Sequence, residues 1–109
     1  MRLQVVFYRT GSGTEPVREW LKDFSRDDRK IIGEDIKTVQ FGWPLGMPVV
    51  RKLAPDLWEV RIKLDNRIAR VLFTTDNGLM VLLHGFIKKS QKTPEKELQI
   101  ARQRMRRLR

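Results

Sequence analysis

An alternating apolar pattern in the second half of the chain constrains the fold more than any other feature of the sequence. Between residues 57 and 64, apolar and charged side chains alternate with a period of two, as in a strand with one buried face. The apolar positions are Trp58, Val60, Ile62 and Leu64. Apolar runs at 67–74 and 79–86 follow the turn sequences Asp65-Asn66 and Asn77-Gly78, and Asn-Gly is a strong hairpin signal. With a shorter run at 49–53, these segments predict an antiparallel meander of three to four strands.

The first half of the chain predicts a strand and a helical hairpin. Residues 3–8 are rich in β-branched and aromatic side chains and precede a glycine-containing loop, as expected of a strand. Residues 14–24 have a helical apolar stripe formed by Val17, Trp20, Leu21 and Phe24. Ser25 is the predicted N-cap of a second helix, which follows after one or two residues and stops at Gly42. We expect this hairpin to cover one face of the sheet.

An unbroken apolar strand runs into a basic loop near the end of the chain. The loop carries Lys88, Lys89 and Lys92 directly after the apolar run. Strict alternation puts Val81, Leu83 and Gly85 on one face of the strand and Leu82, His84 and Phe86 on the other. Thr93 is the expected N-cap of a final helix, with Pro94 at its first position. Cations therefore lie at the rim of a rigid sheet, where a phosphate would be held.

The last predicted element is a basic amphipathic helix over residues 95–109. Its apolar side consists of Leu98, Ala101, Met105 and Leu108, and arginines occupy most of the remaining surface. Taken together, the elements predict one α+β domain, residues 1–109. It comprises an N-terminal strand, a two-helix hairpin, an antiparallel three- to four-strand meander and a C-terminal basic helix.

The net charge of +10 is concentrated in the last quarter of the chain. Residues 1–48 hold 8 basic and 7 acidic side chains, residues 49–83 hold 6 and 4, and residues 84–109 hold 9 and 2. The excess in these segments is therefore +1, +2 and +7. Such a field on one part of a small domain favours a polyanionic partner, either nucleic acid or an acidic protein.

Several classes of protein are excluded by composition. The chain has no cysteine, so disulfides, thiol catalysis and cysteine zinc sites are ruled out, and its lone histidine cannot build a metal site. No segment resembles a signal peptide, and no apolar run approaches the ~18 residues that would span a bilayer. We therefore expect a cytoplasmic protein with no metal, no other cofactor and no membrane partner.

Basic side chains on adjacent predicted strands form the candidate phosphate site. They are Arg51, Lys52, Arg61, Lys63, Arg67, Arg70, Lys88 and Lys89. Arg70 is favoured, because a single charged side chain deep in an apolar run is costly unless it has a functional role. We expect it to meet the lysine pair at the open end of the strands. Arg67 points to the opposite face of the same strand. Fixed cations with few acids suit phosphodiester chemistry, since they stabilise a dianionic transition state.

Three segments of the chain carry a family likeness. They are Leu57-Trp-Glu-Val-Arg61, Arg67-Ile-Ala-Arg-Val-Leu-Phe73 and His84-Gly-Phe-Ile-Lys-Lys-Ser-Gln-Lys-Thr-Pro94. Together they resemble the phage-derived HigB-like toxins of the RelE/ParE superfamily, and the likeness follows the order of elements over nearly the whole chain. The resemblance implies a RelE-like fold and a toxin that cleaves mRNA, usually on the translating ribosome. It also implies neutralisation by an antitoxin encoded beside it, commonly a helix-turn-helix protein like HigA.

The resemblance assigns phosphate contacts to individual basic residues. Arg61 matches a basic position on the first meander strand, and Arg70 matches the arginine of the next strand. Lys88 or Lys89 matches the basic residue after the last strand. The wider RNA-binding surface is expected to include Arg51, Lys52, Lys63, Arg67, Lys92, Arg102 and Arg106. For Lys52, Lys63 and Arg67, an ordinary solvated surface is the alternative that the residues themselves favour.

The candidates for proton transfer differ from the best-known RelE pattern. Glu59 stands where a lysine is common in that pattern, and the only tyrosine of the chain is Tyr8, so none follows the basic loop. Other HigB-like members use histidine or carboxylates instead. The resemblance therefore leaves Glu59 and His84 as the candidate acid and base, with a structural role for His84 equally open.

We expect a metal-independent endoribonuclease in which the 2′-hydroxyl of the RNA attacks the adjacent phosphate. Its expected partners are mRNA, the ribosome and the antitoxin. Two other classes remain open. The chain could be a ParE-like inhibitor that binds a gyrase without cleaving nucleic acid, or a basic nucleic-acid-binding module, because a shared fold does not decide the chemistry.

Overall fold

The computed structural model describes residues 2–108, which form five strands and three helices. The elements are β1 (Gln4–Phe7), α1 (Pro16–Leu21), α2 (Arg26–Gly42), β2 (Val50–Ala54), β3 (Leu57–Lys63), β4 (Ile68–Asp76), β5 (Leu79–Ile87) and α3 (Glu95–Arg106). The α+β class and the order of elements are confirmed. Arg109, the expected end of the last helix, lies outside the described residues.

The strands form a single mixed sheet in the order β1-β5-β4-β3-β2. Strands β2 to β5 are the predicted antiparallel meander, now with four members. The first strand, β1, pairs parallel to β5, with Val6 beside Val81. This parallel pairing was not predicted, because it joins segments far apart in the sequence and has no local signal.

Two apolar clusters lie on the two faces of the sheet. The larger packs the hairpin of α1 and α2 against β3, β4 and β5, and its fully buried members include Ile32, Val39 and Phe73. The smaller lies under α3 and includes Leu72, Leu83 and Ala101. The helical hairpin therefore covers one face, as predicted, while α3 covers only part of the other, the open face of the sheet.

A β-bulge in β5 corrects the predicted alternation. Leu82 lies opposite Phe73 and His84 lies opposite Leu72, so Leu83 is an extra residue in the pairing with β4. The faces consequently exchange at this point, because a bulge shifts the register by one residue. Leu83 packs under α3 with Val81 and Phe86, whereas Gly85 faces α1 with Leu82.

The predicted helix boundaries are partly corrected as well. Ser25 is the N-cap of α2, as predicted, and its Oγ accepts the backbone N–H of Asp28 at 3.1 Å. Helix α1 ends at Leu21, so four residues rather than one or two connect the helices. At α3 the N-cap position is held by Pro94, with no side-chain cap, and Thr93 lies outside the helix.

Both predicted turns of the meander are present. Asn77 and Gly78 have φ angles of 48° and 80°, the left-handed conformation that this dipeptide favours in two-residue hairpins. In the other turn the N–H of Leu64 donates to the carbonyl of Arg67 around Asp65-Asn66. Both turns fix the strand register that places the site. Among the described helices, none has the length and apolar character needed to cross a bilayer.

Candidate functional site

The open face of the sheet carries the candidate site in rows that run across three strands. Arg61 on β3 pairs with Arg70 on β4, which pairs with Phe86 on β5. The preceding row joins Glu59, Leu72 and His84 in the same way. Residues that are opposite one another in adjacent strands point to the same face. The strand register therefore places Glu59, Arg61 and Arg70 side by side on this face.

A buried network connects Arg70 to Glu59 through Thr93. The hydroxyl of Thr93 donates to Glu59 Oε2 at 2.6 Å and accepts from Arg70 Nη1 at 3.1 Å. Arg70 Nη1 also lies 3.5 Å from Glu59 Oε2, and Arg70 Nη2 donates to the carbonyl of Gln91 at 3.0 Å. The exposed fractions of Glu59, Arg70 and Thr93 are 2%, 3% and 4%. The three side chains form one closed unit beneath the loop.

Arg70 was expected at the open ends of the strands, but it is buried. The basic loop, residues 88–93, covers it and holds it through Gln91 and Thr93. Its Nε atom is buried without a hydrogen-bond partner among the described residues. A phosphate could reach this guanidinium only after the loop had moved, so the surface of the site is formed by its neighbours.

Lys88 and Arg61 are the accessible cations beside the buried network. The backbone N–H of Lys88 donates to the carbonyl of Ile68 at 2.7 Å, which continues the β4–β5 ladder into the loop. Partial desolvation, together with the positive charges of Arg61 and Arg70, lowers the pKa of Lys88, and Glu59 opposes the shift. Arg61 is exposed. Arg61, Lys88 and the underlying Arg70 together form the cation group of the site.

A cleft of about 550 Å³ adjoins this cation group. Its walls are the β3–β4 turn and the basic loop, and it is lined in part by Lys63, Lys88 and Lys89. Volumes of this order are common for ligand sites. The structure therefore brings Lys63 and the lysine pair together at one rim, next to Arg61.

His84 lies apart from this cation cleft. It lines a second cleft of about 570 Å³ together with Trp20, Lys89 and Glu97. Its Nε2 is 2.9 Å from Glu97 Oε1, and Nδ1 is 3.5 Å from the guanidinium of Arg104. Burial lowers the pKa of His84 below 6.5, although the hydrogen bond to Glu97 and its charge act in the opposite direction. The two predicted proton-transfer residues thus lie in separate surroundings: Glu59 is in the buried network, and His84 is under α3.

Arg67 lies on the hairpin side of the sheet, opposite to Arg70, as predicted. Its Nη2 is 3.1 Å from Asp28 Oδ2, and its guanidinium lies 5.0 Å from the centre of the Phe24 ring. The ion pair ties the β3–β4 turn to the start of α2. Arg51 pairs with Glu59 across β2 and β3, and both Arg51 and Lys52 are exposed.

The basic residues of α3 form a second positive region. Arg102 is 3.8 Å from Glu95, Arg106 is exposed, and Lys92 is exposed in the loop that precedes the helix. Arg104 was not singled out from the sequence, yet its Nη1 donates to the carbonyl of Leu83 at 2.7 Å and so joins α3 to the bulge. The only sequence signal for this role of Arg104 is its place among the arginines of the final helix.

Thr93 belongs to the buried network, although its sequence context predicted the N-cap of the last helix. The Thr-Pro-Glu sequence signals a helix N-terminus, and this local signal gives no indication of a buried partner two strands away. Glu97 was likewise considered only as a favourable charge near the helix start. Within residues 2–108 there is no group of three metal-ligating His, Cys, Asp or Glu side chains.

The fold and the site define a small basic α+β domain of the RelE type, with a cation group on the open face of its sheet. The chain belongs to the phage-derived Gp49-like protein family (DUF891), whose family model matches residues 19–106. This family is RelE-like and is associated with toxin-like endoribonucleases. A search of curated protein sequences gave no match.

Proposed function

We propose that the chain is the toxin of a type II toxin–antitoxin pair and cleaves mRNA on the ribosome without a metal ion. The observation that supports this proposal is the cation group of Arg61, Arg70 and Lys88 around a single buried acid, Glu59. Fixed positive charge of this kind favours a phosphoryl transition state, because negative charge accumulates on the phosphate oxygens as the reaction proceeds.

The reaction would be an internal transfer within the RNA. The 2′-oxygen forms a bond to phosphorus while the bond from phosphorus to the 5′-oxygen breaks. The products are a 2′,3′-cyclic phosphate and a 5′-hydroxyl. One proton leaves the 2′-hydroxyl and another is added to the leaving 5′-oxygen, so the step needs proton transfer and charge stabilisation but no oxidant or second substrate.

The geometry favours separate roles for the candidate residues. Arg61 is exposed and would contact the scissile phosphate, with Arg70 adding positive charge from below. Lys88, whose pKa is lowered, would transfer the proton. Glu59 is engaged by Thr93 and Arg70 and is therefore a poor base. His84 lies in the adjoining cleft, where Glu97 and Arg104 already contact its two ring nitrogens, so we assign it no part in proton transfer.

Dependence on the ribosome would fit this incomplete set of acid and base groups. Holding the 2′-oxygen in line with the phosphate and the leaving oxygen can supply a large part of the barrier reduction. A ribosome that presents the mRNA in this geometry would compensate for the absence of a strong general base. Codon preference would then depend on how the message is held.

The direct test is in vitro translation with and without the protein, followed by mapping of mRNA 5′ ends. New ends should appear on ribosome-bound mRNA without divalent metal beyond what ribosomes require. Lys88→Ala should lower the cleavage rate by about 10²–10³-fold, on the scale of losing one transition-state donor. Lys63→Ala, an exposed lysine of the same cleft, is the matched control and should change it much less.

The outcome of this test separates the proposal from its rivals. Intact mRNA together with blocked DNA supercoiling by a gyrase would replace it with a ParE-like inhibitor. Intact mRNA with tight RNA binding alone would indicate a binding module. Cleavage that survives Lys88→Ala unchanged would retain the nuclease but move proton transfer to another residue.

We also propose that a helix-turn-helix antitoxin encoded next to this chain binds it. The +7 excess of residues 84–109 suits a partner with an acidic docking surface. Co-expression with the product of the adjacent open reading frame should restore growth. If no adjacent product binds the chain or relieves its toxicity, this part of the proposal is lost.

A further inference from the structure

The basic loop is tied to the sheet at several points. At its start, the N–H of Lys88 bonds to Ile68, and within it Ser90 Oγ donates to the carbonyl of Lys92 at 2.7 Å. Near its end, the carbonyl of Gln91 and the hydroxyl of Thr93 both accept from Arg70. The Thr93 hydroxyl also donates to Glu59, so a single oxygen joins the loop to both buried charges.

The position of Thr93 in the sequence makes this arrangement informative. A threonine at the start of a helix is well placed to cap it with its side-chain hydroxyl. In α3 no side chain caps the helix, because the N-cap position is occupied by Pro94. The hydroxyl of Thr93 is instead fully engaged, 4% exposed, between Arg70 and Glu59. A helix-capping role is therefore not available to it.

Two consequences follow for the cations above the network. Thr93 donates a short hydrogen bond to the buried carboxyl group of Glu59 beside Arg70, which offsets part of the cost of burying that polar group. It also fixes the end of the loop whose first residue is Lys88. The side chains of the loop residues between them, 89–92, are exposed, so the loop is held to the sheet through the backbone of Lys88 and Gln91 and through the hydroxyl of Thr93.

We infer that Thr93 is a positioning residue of the proposed nuclease: its hydroxyl holds the basic loop closed on Arg70 and Glu59, and thereby sets Lys88 beside Arg61. This inference rests on the proposed function. Glu59 takes part in the same positioning role rather than in proton transfer. Thr93 touches no reacting atom, since the network lies beneath the surface of the site.

Three variants test the inference. Thr93→Val removes the hydroxyl at nearly constant volume, and Thr93→Ser retains it. Thr38→Val is the matched control, because Thr38 Oγ1 donates to the carbonyl of Glu34 on the exposed side of α2, away from the site. Folding of each variant is checked by circular dichroism, and the opening of residues 88–93 by amide hydrogen exchange. The functional readouts are the Lys88 amine pKa from NMR titration and the mRNA cleavage rate at saturating ribosome.

For Thr93→Val we expect faster exchange in the loop, a Lys88 pKa closer to its ordinary value, and a cleavage rate lowered by up to about 10²-fold with little change in the half-saturating ribosome concentration. Thr93→Ser should retain wild-type values, and Thr38→Val should change none of them. A folded Thr93→Val protein with an unchanged Lys88 pKa and unchanged loop exchange would overturn the inference. These two readouts need no cleavage. An inactive wild-type chain would refute the proposed function, while faster loop exchange and a changed Lys88 pKa in Thr93→Val would still support the role of Thr93 in placing Lys88.

Discussion

The side chain of Arg70 meets three polar partners inside an otherwise apolar strand. Thr93, Gln91 and Glu59 all contact its guanidinium, and the arginine is only 3% exposed. Burying an ionised group without partners is costly, so this network is a condition for an arginine at this position. The apolar run around Arg70 singled this residue out in the sequence, but it indicated neither the loop that covers the guanidinium nor the partners that satisfy it.

The first prediction concerns the stability of an Arg70→Ala variant. Removal of the guanidinium leaves Glu59 buried without its counter-charge, and breaking a buried pair in this way costs about 3–5 kcal/mol. We therefore expect the free energy of unfolding, measured by urea denaturation, to fall by that amount. Toxicity should also be lost, but a growth assay alone would not separate lost charge from lost fold.

Two further variants complete the test of Arg70. Replacement of both charges, Arg70→Met with Glu59→Leu, should regain much of the stability without regaining activity, since an apolar pair can substitute for a buried ion pair. Arg67→Ala removes an exposed ion pair with Asp28 and should cost about 1 kcal/mol or less. A fully stable and fully toxic Arg70→Ala protein would remove Arg70 from the site and leave Arg61 and Lys88 as its cations.

The second prediction concerns the pH dependence that His84 gives to stability. Its pKa in the folded state is lowered by burial, so the unfolded chain binds the proton more tightly. The stabilisation is fully present above pH 6.5 and is lost as the pH falls through the folded pKa. Each tenfold difference in proton affinity between the two states contributes about 1.4 kcal/mol. Urea midpoints of the wild type and His84→Gln should therefore converge as the pH is lowered from 7 to 5. A difference between the two urea midpoints that stays constant from pH 7 to pH 5 would contradict the lowered pKa of His84.

At the scale of elements, the contact between α1 and β5 depends on one glycine. A Cβ atom at Gly85 would lie 2.5 Å from two carbons of the Trp20 ring, far inside the contact distance. Trp20 is in turn held edge-to-face against Phe24 at 4.8 Å, so the ring has little freedom to move away. Close packing of this helix on the strand thus requires glycine at this position.

The third prediction follows from this contact. Gly85→Ala should lower the free energy of unfolding by about 1–3 kcal/mol, the usual range for overpacking a core. Pairing it with Trp20→Leu should relieve the clash, so the double variant should be more stable than the sum of the two single effects predicts. Strict additivity of the two changes would mean that the strand, and not the ring, adjusts to the new methyl group.

The elements that were predicted correctly have local signals, and the errors involve contacts between distant segments. Ser25 and Asn77-Gly78 carry their own capping and turn chemistry, and both act as predicted. The bulge at Leu83 lies in the pairing of β5 with β4, two segments that come together only in the folded sheet, and the sequence around Leu83 gave no signal for it. Thr93 has a local helix-capping signal that is overridden by a partner 34 residues away in the sequence, Glu59.

The candidate site shows the same division. Alternation correctly separated Arg67 from Arg70, and it placed Glu59 and Arg61 on one face. What it could not provide was depth, because period two gives a direction but not the loop that lies above it. The covering of Arg70, and the separation of His84 into its own cleft, depend on the paths of the basic loop and α3.

At the scale of the whole molecule, positive charge lies in two regions that the proposed function would use differently. One is the cation group on the sheet, anchored from below by the buried network. The other is the end of α3 and the residues after it, where Arg106 and Arg107 are exposed. The first would act on the scissile phosphate, and the second would attract and hold the polyanion at longer range, since exposed charges act through a screened field.

The final prediction separates these two contributions by comparing two charge-reversal variants that have the same net charge as each other. Arg106→Glu with Arg107→Glu, and the control Arg26→Glu with Arg29→Glu on α2, each remove four units of charge, so both variants carry +6 instead of +10. If placement matters, only the first should weaken RNA binding and lower its salt slope, by about one unit per phosphate contact removed. Its cleavage rate at saturating ribosome should largely survive, because the cation group on the sheet is unchanged. Equal effects of both variants on binding would mean that net charge alone attracts the RNA, and equal loss of binding and saturated cleavage in the first variant would place the end of α3 within the active site.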